Sequence, residues 1–594
     1  MTGVAERAFA TAFARTFSTS GVTTRAGIAR LGAAMNAIRD PAHRALAEEV
    51  FALVRHRRKL DQVEVAPARR ALARLLDHPP SSRLPVALER ALHHAVPRVN
   101  ADVRRYELSF DLSGGAMVVP GRAVIRLARA APEDLVLAVA PDRLNVREVH
   151  ARGRAVPFSV RGERLHVRAP GATAIEVRFT VRPTENPNGP GLIADPRTGS
   201  YSTFTWPYGT GALFPSNPAP DDGVTARVTV EAGRGRHVVG AGAAGRRPIR
   251  IDRRVPAYAI AFYAGRFARR RPVASRSGVT VTLYGHGKSV RDDVRRAYQR
   301  AAAEAIDFFS DWLGPYAYGR RFAMVEVRGC LGCMENAGAV AMMIGAIRAR
   351  QVAREMAVHE VAHHWFGDNL RIRNSGEFWM SEGFTSYLTY RFFQHTDGAR
   401  AFHRMLDRSR SLVSAALRHR AHALEGPCYC DIHELFTDVP YELGPWILRM
   451  METALGSPGF DRMLGAWYRA HRFAAVDTRE FLRFARRQTG RDVEPFFDRW
   501  SRIHAVPSFE DRSAIAGDRV RVHLRARTPV PEGVVIPLVV QGLRGEMMAL
   551  GVDPRAGAIV ETGFRVRRLV WDPERRVLAH VGPTAPRPVR SPRR

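Results

Sequence analysis

Lysine is nearly missing from this chain. Lys59 and Lys288 are the only two among 91 basic residues, so the formal charge of +33 is carried almost wholly by arginine. The arginines are spread along the whole length rather than gathered into a block. That removes the main sequence sign of a dedicated nucleic-acid surface, and no specific nucleic-acid partner is expected. A composition-wide preference for arginine accounts for the excess; a working affinity for acidic surfaces or polyanions is the other reading. Cysteine is also scarce. Four in 594 residues exclude a disulfide scaffold. They stand in two close pairs, Cys330 with Cys333 and Cys428 with Cys430, which leaves open a structural zinc, one or two disulfides, or four reduced thiols. No window approaches 18 consecutive apolar residues, so no transmembrane segment is expected. The first residues lack the charged start, apolar stretch and small-residue cleavage site of a secretory signal, which makes cytoplasmic the default location. Residues 1–39, with Glu6 as their one acid and five arginines, equally have the composition of an organelle transit peptide or an exposed basic helix.

What the chain does have is an ordinary globular composition, 45% hydrophobic and 25% charged, at a length that calls for several domains. Residues 1–100 read as a helical extension, with apolar residues at helical spacing in 45–60 and 68–76. From 101 to 270 the period changes to two, as in RRYELSFDLSG (104–114), AVIRLAR (123–129), AIEVRFTVRP (174–183) and TARVTVEAG (225–233), and the expectation is a mostly antiparallel β-domain. Residues 271–505 turn helical after a strand-rich start, with a strong amphipathic helix over 295–314 and a buried strand over 322–329. Strand patterns return over 506–582, enough for a small β-sandwich. The tail 583–594, rich in proline and arginine, reads as disordered.

Chemistry is concentrated in HEVAH, residues 359–363. Residues four apart on a helix share a face, so His359 and His363 can reach one metal, and Glu360 beside them can polarise a metal-bound water. The segment running on through His364, Trp365 and Phe366 predicts a helix that continues and is largely buried. Glu382, within FWMSEGFTSYL (378–388), supplies a carboxylate on a second helix as third ligand. The expectation is one Zn2+ per chain on His359, His363 and Glu382, with a position open for water. His364 points about 100° around the helix from His363 and reads as packing behind the ligands. Asp368 is a candidate to orient a ligand imidazole.

These residues resemble the aminopeptidase N and leukotriene hydrolase type of zinc metallopeptidase. In that family HExxH is followed by 18 residues and a glutamate, the interval between His363 and Glu382 here. Trp365, Phe366 and Gly367 match its WFG, and Trp379 to Phe384 its segment ending in EGF. Gly332, Cys333, Met334, Glu335 and Asn336 resemble its G-x-M-E-N strand, whose glutamate binds the α-amine of a peptide. YELGPWIL (441–448) resembles the segment with its transition-state tyrosine, which falls on Tyr441. The resemblance covers roughly 101–580. It implies a multidomain α+β fold in which a saddle-like β-domain, a thermolysin-like catalytic domain and a small β-sandwich follow the N-terminal helical segment. It also implies an aminopeptidase: Glu360 as general base, Tyr441 as oxyanion donor, Glu335 as amine anchor, and Gly332, Cys333, Met334 and Asn336 along a peptide substrate with a free N-terminus.

The sequence departs from that pattern in places. Aligning Phe214 and Pro215 with the family puts Trp206 at the second amine anchor, normally Gln or Glu, and tryptophan has no acceptor oxygen. Ala337 stands where the family has tryptophan, and Leu443 where it has lysine. A zinc hydrolase acting on non-peptide or amino-blocked substrates is therefore the alternative reading. A third is an inactive basic scaffold, against which the complete set of site residues argues.

Overall fold

A computed structural model describes residues 4–17, 25–54, 72, 99–114, 117–186, 189–207, 209–245, 248–287, 290–328, 333–344, 350–419, 424 and 437–582. Cys330, Gly332, Cys428 and Cys430, most of the 68–76 run and the basic tail lie outside these residues. The chain divides into two compact units: Met1–Ser381 with Pro427–Phe436 and Gly465–Thr478, and Glu382–Gly426 with Thr437–Leu464 and Arg479–Arg594. The first division falls inside a continuous helix, Phe378–Asp397, so Ser381 and Glu382 are helical neighbours.

The first unit opens with the helices Val4–Phe17, Arg25–Asn36 and Pro41–Val54, which bury Phe9, Phe13, Leu31 and Val50. The third starts where Asp40 accepts from the His43 N–H at 2.8 Å and Pro41 takes the first helical position, where a missing N–H costs nothing. The period-two stretches then form a seven-stranded sheet in the order Ile249–Val255, Val224–Glu231, Val103–Asp111, Val119–Leu127, Ala174–Val181, Leu144–Ala151, Arg154–Ala155. Tyr106, Leu108 and Phe110 point inward from one strand because alternate residues share a face. The sheet is antiparallel except where Val103–Asp111 lies parallel to Val224–Glu231. A five-stranded sheet follows, with Tyr263–Gly265 and Ser200–Phe204 side by side within it.

The parallel strands Thr280–Gly285, Arg321–Val327 and Ala339–Met343 build the sheet beside the site. Helix Asp292–Trp312 is the crossover between the first two, and its opening Asp292 and Asp293 suit the positive end of the helix dipole. Covered on both faces, Arg321–Val327 reads as a continuous buried run. Its one buried charge, Glu326, accepts from Arg295 Nε at 2.8 Å and Tyr298 Oη at 2.8 Å.

The second unit is helical and then β. Helices Ala399–His419, Gly444–Leu455, Thr478–Thr489 and Glu494–Trp500 precede three sheets of three strands. Strand Ile536–Gly542 alternates buried and half-buried residues, and Leu538 and Val540 join Val520, Val522 and Val552 in a shared core. Arg449 ties helix to strands by donating to the carbonyls of Glu574 and Arg575 at 2.9 and 3.0 Å. The architecture is the multidomain α+β class that the sequence predicts. No helix among the described residues is long and apolar enough to cross a membrane.

Candidate metal centre

Helix Arg350–Ala362 carries HEVAH up to Ala362, with His363 just past its end and Ala353, Ala357, Val358 and Val361 on its buried face. The predicted continuation through Phe366 does not occur. The helix ends at Ala362 and its last turn tightens, with His364 N–H donating to Val361 O at 3.1 Å and Trp365 N–H to Ala362 O at 2.9 Å. His363 N–H still donates to His359 O at 3.2 Å, so both histidines keep the i, i+4 face. Gly367 then reverses the chain at φ +126°, and a Cβ there would lie 2.9 Å from His363 Nδ1 and from Ser381 Oγ. Only glycine makes this turn and leaves room for the imidazole.

His363 Nδ1 lies 3.1 Å from the Phe366 carbonyl, which only accepts, so Nδ1 carries the proton and Nε2 the lone pair. That Nε2 faces His359 Nε2 at 3.2 Å, with the two rings at 81°. Two nitrogens bound tetrahedrally at about 2.0–2.1 Å from zinc stand roughly 3.3–3.4 Å apart, so the pair is set for one metal. Ligand atoms of His359, His363 and Glu382 all lie within 4.8 Å of one another, as do those of Glu335, Glu360 and His363. Glu335, Glu360 and Glu382 are each 5% exposed. Glu335 and Glu360, buried this close to each other, are costly together, and a divalent cation beside them offsets that cost. The donor set fits zinc: two imidazoles and a carboxylate, with Glu360 beside them.

Asp368 does not orient a ligand imidazole. It is fully buried, its carboxylate oxygens have no hydrogen-bond partner, and it stands 3.9 Å from His364 Nε2. Burial, reinforced by the charges of Glu335 and Glu360, holds its pKa well above the ordinary value. The group that orients His363 is the Phe366 carbonyl, which no side-chain pattern announces; the one sequence signal is Gly367, whose reversal brings that carbonyl back.

His364 is a link between two segments. Its Nδ1 donates to the Glu360 carbonyl at 3.1 Å and its Nε2 accepts from the Gly338 N–H at 2.9 Å, which fixes a neutral tautomer. Burial, with His363 alongside, pushes its pKa down to about 3. Gly338 closes the segment that carries Glu335. In the same segment Asn336 Oδ1 accepts from Tyr263 Oη at 2.6 Å, and Ala337 N–H donates to Ala259 O at 3.0 Å. Among the described residues of this segment Met334 pairs with Ala341, and the chain turns at Ala337–Gly338. Cys333, half-buried, precedes Met334. Trp206 is buried, its ring 5.3 Å from that of Phe378. Tyr441 lies in the second unit, half-buried within the π-helical turn Val439–Leu443.

Residues 298–500 match the Peptidase family M1 domain. The chain is similar to Tricorn protease-interacting factor F2 of Thermoplasma acidophilum, 24% identical over 231 residues, which are 36% of this chain and 29% of that protein. It is similar to Aminopeptidase N of Streptomyces lividans, 22% identical over 326 residues, 51% of this chain and 38% of that protein. The chain thus matches well under half the length of these relatives. Aminopeptidase A of Legionella pneumophila, solved in complex with aspartic acid, shares the fold at a TM-score of 0.66 and 16% identity, over 82% of this chain and 60% of that one.

Proposed function

We propose that this chain, whose residues 298–500 match the Peptidase family M1 domain, is a zinc-dependent aminopeptidase removing N-terminal residues from peptides. The observation that carries the reading is the pair of imidazole Nε2 atoms 3.2 Å apart, with buried carboxylates of Glu335, Glu360 and Glu382 around them. Bound by His359, His363 and Glu382, zinc supplies a Lewis acid that polarises the scissile carbonyl and acidifies water. Glu360 takes the proton of the attacking water and passes it to the leaving amine. Tyr441 donates a hydrogen bond to the oxyanion as it forms, a contact worth about 2.7–4 kcal/mol by analogy with other oxyanion donors. Glu335 binds the ammonium of the first residue. Cys333 lies along the peptide and offers it main-chain hydrogen bonds, while Met334 exchanges its own with Ala341.

A second reading, a hydrolase of amino-blocked or non-peptide substrates, is favoured by one feature. Trp206 falls at the second amine anchor when Phe214 and Pro215 are aligned with the family, and its ring lies 5.3 Å from that of Phe378. The two readings separate on metal content measured beside the hydrolysis of aminoacyl-7-amido-4-methylcoumarins and their amino-blocked versions. One zinc per chain with cleavage only of free-amine substrates is the expected result. Equal cleavage of blocked substrates would move the assignment to the second reading. Zinc without cleavage of either would remove the peptidase reading.

A further inference from the structure

Within the second unit, the turn that carries Tyr441 is fastened at three points. Glu442 Oε2 accepts a hydrogen bond from Tyr390 Oη at 2.9 Å. Ser409 Oγ donates to the main-chain carbonyl of Glu442 at 2.9 Å. Tyr390 and Ser409 are both buried, on the helices Phe378–Asp397 and Ala399–His419. The third point is backbone on backbone: a Cβ added to Gly444 would lie 2.6 Å from Gly383 Cα. The π-turn therefore ends against the residue that follows Glu382, and Tyr390 sits on the same helix about 10 Å further along.

A packing role alone would not choose these residues. A π-turn has poorer hydrogen-bond geometry than an α-turn and persists where something else holds it. Pro445 lacks the N–H that would return an α-type bond to the Tyr441 carbonyl, which leaves the turn to be held from outside. A carboxylate is a costly way to fill a half-buried space, and its burial raises the Glu442 pKa against the pull of the Tyr390 hydrogen bond. An apolar side chain would pack there at lower cost.

We propose that Glu442 is a positioning residue for Tyr441. Through Tyr390 its carboxylate holds the π-turn, alongside the Ser409 bond to the main chain, so that the Tyr441 hydroxyl is presented to the oxyanion. The inference rests on the reading of Tyr441 given above, and the test separates the two.

Glu442→Ala, Glu442→Gln, Tyr390→Phe and Tyr441→Phe are made singly, with Glu442→Ala and Tyr390→Phe also placed in the Tyr441→Phe background. Zinc content, thermal midpoint, kcat and KM are measured for each. Glu442→Ala is expected to lower kcat by up to about 10²-fold, the usual cost of a catalytic group displaced by an ångström, with KM and zinc content held. Glu442→Gln, which keeps the acceptor, restores kcat to within about 3-fold. In the Tyr441→Phe background the same changes add less than about 2-fold, because groups that act as a unit are not additive. If Glu442→Ala does not fold, Tyr390→Phe, which deletes one oxygen, carries the same comparison. Full multiplication of the two losses would overturn the positioning role and leave Tyr441 in place. Full activity of Tyr441→Phe would overturn both.

Discussion

Two helical irregularities carry the proposed chemistry, and they depart from α-geometry in opposite directions. At 364–365 the chain leaving the metal-binding helix tightens, closing on bonds to residues three back. At Val439–Leu443 the backbone loosens into a π-turn. In the first region the working atoms lie four residues apart on regular helix, and the irregularity comes after them. Its task is to bring the Phe366 carbonyl back onto His363. In the second the working residue sits inside the irregularity and is fixed by partners 52 and 33 positions away, Tyr390 and Ser409. Metal ligands can thus be placed by local geometry, whereas a single hydrogen-bond donor has to be placed by the rest of the fold.

That difference is broken most severely in the first region. His363→Ala removes a donor that helix geometry supplies, and metal content should fall from about one per chain towards none. Activity should fall more than about 10⁴-fold, since several kcal/mol of Lewis-acid stabilisation leave together. Glu360→Gln, one turn away, should keep the metal and lose about 10²–10⁴ in kcat. Metal analysis beside kcat separates the two variants; metal retained by His363→Ala would contradict the ligand assignment. In the second region the expected loss is smaller. Tyr441→Phe should keep metal and KM and lower kcat by about 10²–10³, a result read directly from steady-state kinetics.

The same contrast explains what could be read in advance. Strands such as Val103–Asp111 and Ile536–Gly542 announce themselves by period two, since one face is buried and the other is not. That the His359 and His363 rings face one another was legible, because residues four apart share a helix face. The helix end was not. The continuous apolar run His364–Phe366 reads as more helix, and only the turn at Gly367 shows that Trp365 and Phe366 are buried after the helix has stopped. Asp368 was misjudged for a related reason: four residues beyond His364, it meets that ring and not a ligand. The Glu442–Tyr390 contact had no sequence signature, because nothing within 50 residues of Glu442 specifies its partner.

His364 tests whether a fold-wide link also operates in the first region. It joins the Glu360 carbonyl to the Gly338 N–H, and so ties the base-bearing turn to the segment with Glu335. His364→Phe leaves both backbone groups buried without that partner, at a cost of about 1–3 kcal/mol. KM for free-amine substrates should rise roughly 10-fold, the equivalent of about 1.4 kcal/mol, while any blocked substrate is unaffected. His364→Gln, which offers both a donor and an acceptor, should recover most of the loss. Equal effects on free and blocked substrates would show that the link supports the helix and not the amine anchor.

The smallest effect belongs to the pH dependence of the second region. Burial raises the Glu442 pKa above its ordinary value, so in the folded state this carboxyl holds its proton to higher pH than in the unfolded chain. Folding then binds more protons, and stability falls as pH rises. Glu442's contribution is fully present below the unfolded carboxyl range and is lost as pH climbs through the folded value. Glu442→Gln cannot ionise and escapes that loss. The thermal midpoint of the variant, compared with wild type between pH 5 and pH 8, should gain by a degree or two at the upper end, about the shift that small changes in free energy produce in domains of this size. The comparison cancels the titration of every other group, including the metal donors, because both proteins share them. A difference independent of pH would mean that Glu442 is ionised at no cost, and the turn would then be held by Ser409 and the Gly383–Gly444 contact without it.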